Sequence, residues 1–200
     1  MRRKFGDDYY MQPRTYILPA DSSELQADYK RAKEKVFILK PSASSRGRGI
    51  RLIRKLSEIS WNKEKKCYRD CIVQQYIGNP YLINGLKFDM RVYVLVTSVD
   101  PLRIYLFKEG LARFATEKYR ADNTGYQQQC AHITNTSINS KKQNYVNNEN
   151  EKEDGRGHKW SLTAVAHHLE SKGIPWSRVW NQIRDLAVSF LKQLGTSWIE

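Results

Sequence analysis

The chain has 200 residues, of which 40% are hydrophobic and 28% charged, and its formal net charge is +13. These values predict a globular protein with one sizeable core or parts of two domains, and they exclude a disordered chain. The positive charge predicts an acidic partner, which could be nucleic acid, an anionic membrane or an acidic protein segment, although no common nucleic-acid-binding signature accompanies it.

The cysteines and the N-terminal residues restrict the class of protein further. Cys67, Cys71 and Cys130 are odd in number and fit neither a disulfide framework nor a zinc site, so reduced thiols in the cytosol are expected. Residues 1–8 lack the apolar core of a signal peptide, and no apolar run approaches transmembrane length.

The first part of the chain is predicted to hold one helix and three strands. Asp21 and Glu24 are spaced as a capping box, so a helix is expected to begin there. Apolar runs then predict strands at Val36–Leu39, Ile50–Ile53 and Cys71–Ile77. The glycine- and serine-rich residues 40–49 are predicted to form a hairpin tip, and the lysine-rich residues 61–69 an exposed turn.

The sequence Lys-Phe-Asp-Met-Arg at residues 87–91 opens a predicted buried strand that runs to about Val99. Side chains two apart on a strand share a face, so Lys87, Asp89 and Arg91 point one way and Phe88 the other. Such charges are costly to bury unless they are paired. This face therefore suits an anionic ligand beside a metal or cationic partner, and a structural ion pair within an edge strand is the alternative.

Two further strands are predicted to complete an antiparallel meander. Asp100-Pro101 is read as the first turn and Glu109-Gly110 as a second tight turn, and the last strand ends near Thr116. Residues 117–154 are polar and are predicted to be long mobile loops, interrupted by residues 132–135.

Two helices are predicted to close the chain. The first covers Leu162–Lys172 and is stopped by Gly173 and Pro175. The second begins near Trp176, and its apolar face is broad enough for core packing.

The loop that contains Gly47 and Gly49 is a weak signal alone, because hairpin turns often need glycine for backbone reasons. Lys40, however, ends the preceding strand, and the amides of the loop can converge on phosphate oxygens. A strand on both sides of the loop excludes Rossmann and Walker-type sites, which need a helix after the glycines. A nucleotide site covered by a hairpin flap is the interpretation that remains.

Six blocks, in order and spacing, resemble the tubulin tyrosine ligase-like family. They are Lys40-Pro41-x4-Arg46-Gly47-x-Gly49-Ile50, Gln74-x-Tyr76-Ile77, Leu82-Ile83-x3-Lys87-Phe88-Asp89-x-Arg91, Asp100-Pro101-Leu102-Arg103, Gly110-Leu111-x-Arg113-Phe114 and His132-x-Thr134-Asn135. Weaker similarity reaches residues 13–19 and 157–160. Residues 100–107 and 157–160 are most similar to the polyglutamylase branch that adds glutamates to glutamate side chains.

The resemblance implies an α+β, ATP-grasp-like fold with two lobes around a nucleotide cleft. Residues 1–78 would form the first lobe with the phosphate flap, and residues 79–200 an incomplete second lobe. The family binds magnesium through a Glu-x-Asn type motif on later strands, and nothing in residues 161–200 matches it. The second lobe is therefore expected to be truncated, with the Mg²⁺ ligands downstream of this chain.

The resemblance also implies an activity. Family members use ATP to convert a carboxylate into an acyl phosphate, which the amine of free L-glutamate then displaces. The expected partners are the acidic C-terminal tails of tubulin in microtubules, with no nucleic acid and no membrane. The expected location is the cytoplasm and cytoskeleton, extending to the cilium or basal body. A catalytically inactive, basic microtubule-binding module and a ligase that adds glycine or tyrosine are the alternatives.

The matching positions predict the site residues. The predicted ATP contacts are Lys40, Arg46, Gly47, Gln74, Gln75, Tyr76, Ile77, Lys87, Phe88, Asp89, Thr134 and Asn135. Arg91 and Arg113 are assigned to the reaction, and His132 also matches a family position at the reaction site. Arg113, Thr136 and Lys159 are predicted to bind the amino-acid substrate, and Thr136 stands where many family members carry tyrosine.

Overall fold

The computed structural model describes residues 12–31, 36–65, 67–121, 128–148 and 154–198, with side chains described as far as residue 192. The described strands form two four-stranded antiparallel sheets and one two-stranded ribbon, accompanied by helices. The chain therefore has a mixed α/β fold built on antiparallel sheets.

The first sheet contains β1 (Thr15–Leu18), β2 (Phe37–Pro41), β3 (Arg51–Ile53) and β6 (Cys71–Gln75) in the order β1-β6-β2-β3. Helix α1 (Ser22–Arg31) confirms the predicted helix and packs on one face of this sheet. Alternate residues of the strands and one helix residue fill the core between them: Tyr16, Leu18, Leu25, Phe37, Leu39, Ile53 and Val73.

The other face of the first sheet is more polar. Thr15, Gln74 and Ile38 lie side by side in one row across β1, β6 and β2. Lys40 follows Ile38 on the same face, because it is two residues further along β2. The predicted phosphate-binding lysine thus lies on the sheet face opposite the core.

A short hairpin occupies the predicted exposed turn after β3. Strands β4 (Trp61–Asn62) and β5 (Cys67–Tyr68) pair antiparallel, and the rings of Trp61 and Tyr68 meet edge to face at 5.0 Å. The three cysteines of the chain are free thiols in the structure.

The second sheet contains β7 (Leu82–Ile83), β8 (Leu86–Val99), β9 (Leu102–Phe114) and β10 (Lys159–Ser161) in the order β10-β9-β8-β7. Strands β8 and β9 form the long hairpin that the Asp100-Pro101 turn predicts. Strand β10 comes from a distant part of the chain and pairs with β9.

The predicted tight turn at Glu109-Gly110 is wrong, because β9 runs through both residues. Val92 pairs with Gly110 and Val94 with Leu106, so three residues of β9 face one residue of β8 in a bulge. A Cβ atom at Gly110 would lie 2.3 Å from the backbone oxygen of Arg91, so glycine is needed here for close backbone approach.

Glu109 serves a helix rather than a turn. Its carboxylate accepts hydrogen bonds from the amide of Leu162 at 2.7 Å and from the hydroxyl of Thr163 at 2.5 Å. Desolvation acts to raise the pKa of Glu109, but the bonds from Thr163, Gly110 and Leu162 outweigh it and the pKa is lowered. In place of the predicted three-stranded meander there is one bulged hairpin. Glu109 in its bulge binds the start of the helix that begins at Leu162.

The prediction of a buried strand at 87–99 is wrong, because the residues of β8 near the second core are only half-buried and most of those toward the hairpin tip are exposed. Near the second core, Ala112 and Phe114 of β9 are fully buried. Toward the hairpin tip, Leu95 is 61% exposed and Tyr105 58% exposed. The apolar run of β8 thus extends beyond the described helices that cover the base of the hairpin.

Helices α4 (Leu162–Ser171) and α5 (Trp176–Trp198) confirm the two predicted C-terminal helices. Val165 and Leu169 of α4 belong to the core of the second sheet, and Val179 of α5 packs against it. Leu186 is 49% exposed and Phe190 37% exposed, so the predicted core-packing face of α5 is wrong at these two positions. In the part of the chain that the structure describes, no helix combines the length and apolarity needed to cross a membrane.

The predicted mobile loop of residues 117–154 is partly wrong. Residues 122–127 and 149–153 lie outside the described residues. Between these two stretches, α2 (Gln129–His132) and α3 (Thr136–Asn139) form ordered structure inside the fold. Its polar side chains can be buried because they find hydrogen-bond partners there. The buried residues of this segment are Cys130, Ala131, His132, Ile133, Thr134 and Asn139.

Candidate functional site

Two lysines from the two sheets come together at the candidate site. Lys40 Nζ donates to Gln74 Oε1 at 2.8 Å, and Gln74 Nε2 donates to Thr15 Oγ1 at 2.8 Å. Lys87 is close enough to Lys40 for the charge of Lys40 to lower the pKa of Lys87. Burial lowers the pKa of Lys40 as well. Two partly desolvated cations that feel each other's charge form a site for a polyanion.

Lys87 contacts two buried residues, Tyr76 and His132. Its Nζ donates to the Tyr76 hydroxyl at 3.1 Å and to the His132 carbonyl at 2.8 Å. Burial is the largest cause that lowers the pKa of Lys87 to about 8, while Asp89 acts to raise it. The amine is therefore near its titration point under physiological conditions.

The predicted flap packs onto the segment that contains Asn135. Arg46 and Gly47 both adopt positive φ angles, of 57° and 77°. A Cβ atom at Gly47 would lie 2.7 Å from Cδ1 of Ile138 and 3.0 Å from Cγ of Asn135. Ser137 Oγ also donates to the carbonyl of Arg46 at 2.8 Å. The hairpin tip and α3 thus bring two predicted blocks, 91 residues apart, into direct contact.

The predicted adenine-reading connector, residues 74–77, begins with the last two residues of β6 and continues into Tyr76 and Ile77, which lie in sequence between the two sheets. The amides of Gln75 and Tyr76 donate to the carbonyls of Arg14 and Val36. Ile77 is 61% exposed. Because the amides of Gln75 and Tyr76 are engaged, an adenine edge would have to be read by other backbone groups of the connector.

A row of charged residues crosses the second sheet. Asp89, Arg113 and Lys159 are aligned on β8, β9 and β10. Arg113 binds Asp89 through two hydrogen bonds, Nε to Oδ1 at 2.8 Å and Nη2 to Oδ2 at 2.5 Å. The hydrogen bonding to Asp89 raises the pKa of Arg113, so this guanidinium is always charged. Lys159 Nζ lies 3.3 Å from Asn147 Oδ1.

The structure places the other predicted residues less centrally. Phe88 stacks on Phe114 at 5.3 Å, on the opposite face from Asp89, so its side chain belongs to the core. Arg91 is exposed and lies one row further out than Asp89. Thr134 is buried, and Thr136 begins α3.

Sequence reasoning missed Asn139, which organises the segment of Thr134 and Asn135. Asn139 is fully buried. Its Nδ2 donates to the carbonyls of Ile133 at 2.7 Å and Asn135 at 3.1 Å, and its Oδ1 accepts from the amide and hydroxyl of Thr116. One asparagine in an asparagine-rich stretch gives no signal of such a role.

The described residues do not offer a metal site. Among them there is no group of three or more His, Cys, Asp or Glu side chains that could hold an ion. The Asp89 carboxylate is engaged by Arg113, so these residues do not fit the Mg²⁺ that the resemblance implies. An open pocket of about 460 Å³ lies beside the site, lined in part by Leu86 and Glu117. None of the predicted site residues lines this pocket. The candidate site is therefore defined by the positions of the charged residues and not by the pocket.

Comparisons with known proteins agree with the six sequence blocks. The sequence model of the tubulin-tyrosine ligase family matches residues 1–193. A probable beta-tubulin polyglutamylase of Tetrahymena thermophila is 41% identical over 191 residues, covering 94% of this chain and 16% of the relative. Tubulin monoglutamylase TTLL4 of Mus musculus is 41% identical over 189 residues, covering 94% of this chain and 15% of the relative.

Tubulin polyglutamylase TTLL6 of Mus musculus is 39% identical over 192 residues, covering 96% of this chain and 22% of the relative. The chain thus spans less than a quarter of each of these three relatives, whose names all describe glutamylases. Since the family match covers nearly the whole chain, it decides the assignment. The chain belongs to the tubulin-tyrosine ligase family.

Proposed function

We propose that this chain is part of an ATP-dependent ligase that adds glutamate to glutamate residues of tubulin tails. The observation that carries the proposal is the arrangement of four cations: Lys40 and Lys87 at the junction of the two sheets, and Arg113 and Lys159 in a row beside them. The reaction brings together a triphosphate and several carboxylates, and cations around them offset their mutual repulsion.

The two lysines are proposed to bind the phosphates of ATP. Lys40 comes from the first sheet and Lys87 from the second, so a triphosphate between them would be held from both sides. The flap at Gly47 would cover the phosphates, and the connector around Tyr76 would contact adenine. In this proposal, residues 1–78 and 79–200 belong to two ATP-grasp-like lobes with the cleft between them.

Arg113 and Lys159 are proposed to bind the incoming glutamate. Free glutamate carries two carboxylates, and these two residues supply two cations in one row of the sheet. A guanidinium has five N–H donors, and Asp89 takes two of them. Asp89 therefore fixes the plane of Arg113 and leaves donors for a substrate carboxylate. Arg91 and Thr136 are assigned to the edge of the same site.

The proposed reaction has two steps. An oxygen of a tubulin glutamate carboxylate attacks the γ-phosphorus of ATP, the bond to the β-phosphate oxygen breaks, and ADP leaves. The deprotonated amine of free glutamate then attacks the acyl carbon, the bond from that carbon to the phosphate oxygen breaks, and the isopeptide bond forms. Inorganic phosphate leaves and takes up the proton that the amine loses. The described residues do not supply ligands for Mg²⁺, so neither step is assigned to that ion.

The acidic tails of tubulin are the proposed partner, and the cytoskeleton is the proposed location. The net charge of +13 would attract acidic tails most strongly at low ionic strength. The names of the relatives, which describe tubulin glutamylases, support this choice of partner.

Incorporation of labelled glutamate into microtubules tests the proposal. We expect the wild-type protein to transfer glutamate in an ATP-dependent manner. The Arg113→Ala variant should lose this transfer but still bind ATP. Normal ATP binding without transfer would contradict ligase function. Microtubule co-sedimentation without nucleotide, combined with no transfer, would support a non-catalytic binding module instead. Competition between glutamate and glycine in the same assay identifies the amino acid.

A further inference from the structure

The Lys87 ammonium is held by the Tyr76 side chain as well as by the backbone. Tyr76 is buried, its hydroxyl accepts from Lys87 Nζ at 3.1 Å, and Lys87 Nζ lies 4.7 Å from the centre of the Tyr76 ring. The His132 carbonyl accepts a second hydrogen bond from Lys87 Nζ, at 2.8 Å. Because an ammonium has three protons, these two acceptors leave one direction for a ligand.

His132 holds the Tyr76 hydroxyl in place. The hydroxyl oxygen lies 3.0 Å from His132 Nδ1, within hydrogen-bond distance. The same oxygen accepts from Lys87 Nζ at 3.1 Å. A chain of hydrogen bonds therefore links Lys87 on β8 through Tyr76 to His132 on α2.

The charge of Lys87 depends on the groups that surround it. Asp89 on its own strand acts to raise the pKa of Lys87, Lys40 from β2 acts to lower it, and burial lowers it most, to about 8. Tyr76 and His132 complete the polar surroundings. A single acceptor for the ammonium is therefore enough to change the protonated fraction of Lys87 near neutral pH.

We propose that Tyr76, oriented by His132, is a positioning residue that fixes the Lys87 ammonium for the polyphosphate of a nucleoside triphosphate. This role belongs to the Tyr76 side chain and is additional to the backbone contact with adenine. The proposal rests on the proposed function only in naming the ligand. The effect of Tyr76 on Lys87 exists without nucleotide and is measured without it.

Tyr76→Phe is the direct test, because it keeps the ring and removes only the hydroxyl. Trace acetylation of the amines across pH 6–11, read by mass spectrometry of the Lys87 peptide, gives the pKa of Lys87 without nucleotide. Loss of the acceptor should lower this pKa by about one unit, a tenfold change in protonation. The KM for ATP should rise about threefold at pH 7.5 while kcat changes little, and the KM difference should widen toward about tenfold as pH rises above 8.

Three variants separate positioning from general damage to the fold. Tyr119→Phe is the matched control, since its hydroxyl donates to the Gly78 carbonyl at 2.7 Å and its ring contacts His132 at 4.9 Å. It should leave the pKa of Lys87 unchanged. His132→Asn offers an oxygen near the Nδ1 position and should retain most of the wild-type pKa, whereas His132→Leu should behave like Tyr76→Phe. Circular dichroism and thermal melting check the fold of each variant.

An unchanged Lys87 pKa in a folded Tyr76→Phe variant would overturn the proposal. An equal shift in Tyr119→Phe would also overturn it, because the effect would then be general. Protection of Lys87 from acetylation by ATP tests the proposed function separately. A shifted pKa without ATP protection would support the positioning role and contradict the nucleotide site.

Discussion

Replacing Lys87 with methionine should change how the stability of the protein depends on pH. The pKa of Lys87 is about 8 in the folded protein against 10.5 for an ordinary lysine, mainly because of burial. Between these values the unfolded chain binds more protons than the folded one, so the stability of the wild type rises with pH. The stability that Lys87 contributes in its neutral form is fully present above about pH 10.5 and is lost as pH falls through 8.

The magnitude follows from the same two values. A difference of one pKa unit corresponds to about 1.4 kcal/mol, which sets an upper limit of roughly 3 kcal/mol. Lys87 is only partly buried, and water reduces the effect, so about 2 kcal/mol is expected. The stability of Lys87→Met relative to the wild type should therefore fall by about 2 kcal/mol between pH 7 and pH 10.5.

Urea unfolding of both proteins at a series of pH values measures this difference. Taking the difference removes the other groups that titrate in the same range. Lys65→Met is the matched control, because Lys65 is exposed, and its difference from the wild type should stay flat. A flat difference for Lys87→Met as well would refute the reasoning that burial depresses the pKa of this lysine.

Three other substitutions, one of them with a control at Gly78, test the structure. Gly110→Ala would place a Cβ atom 2.3 Å from the carbonyl oxygen of Arg91 and should cost about 3 kcal/mol of stability in thermal unfolding. Gly78→Ala, where nothing lies within 4 Å, should cost under about 1 kcal/mol; equal costs would contradict the close approach. Arg113→Lys keeps the charge but loses the two hydrogen bonds of the guanidinium to Asp89. The KM for glutamate should therefore rise at least about tenfold, while ATP affinity stays within about twofold. Equal losses of glutamate and ATP affinity would argue against a role in glutamate binding. Asn139→Ala should destabilise the fold by about 3 kcal/mol in urea unfolding, because buried donors and acceptors lose their partner; a loss below about 0.5 kcal/mol would show that they are satisfied otherwise.

The charged row shows why part of the site could be predicted from the sequence. The two-residue period of a strand places Lys87 and Asp89 on one face, and this local rule is independent of the rest of the fold. The pairing of Asp89 with Arg113 could not be predicted, because the expected turn at Glu109-Gly110 places Arg113 on a third strand, whereas β9 continues through this point and pairs with β8 in a shifted register. Lys159 joins the row only because β10 returns from 45 residues away to pair with β9. Nothing in the local pattern specifies that return.

The errors have a common physical origin. Glu-Gly is a good turn sequence, but the tertiary contacts of Glu109 with α4 and the closeness of Gly110 to β8 favour a bulge. The residues around His132 are polar enough to resemble a loop, yet Asn139 satisfies their backbone groups inside the fold. In each case a long-range partner decides the conformation, and a single sequence does not reveal that partner.

The bulge in β9 has a consequence for how this hairpin could vary in length. In a regular strand pair, inserting one residue turns every following side chain to the opposite face. Here three residues of β9 already face one residue of β8, between the hairpin tip and the charged row. An insertion near Asp100 could be absorbed at this irregular position, so Arg113 would keep its place opposite Asp89. The tip can therefore change in length over evolution without turning the charged row away from its site.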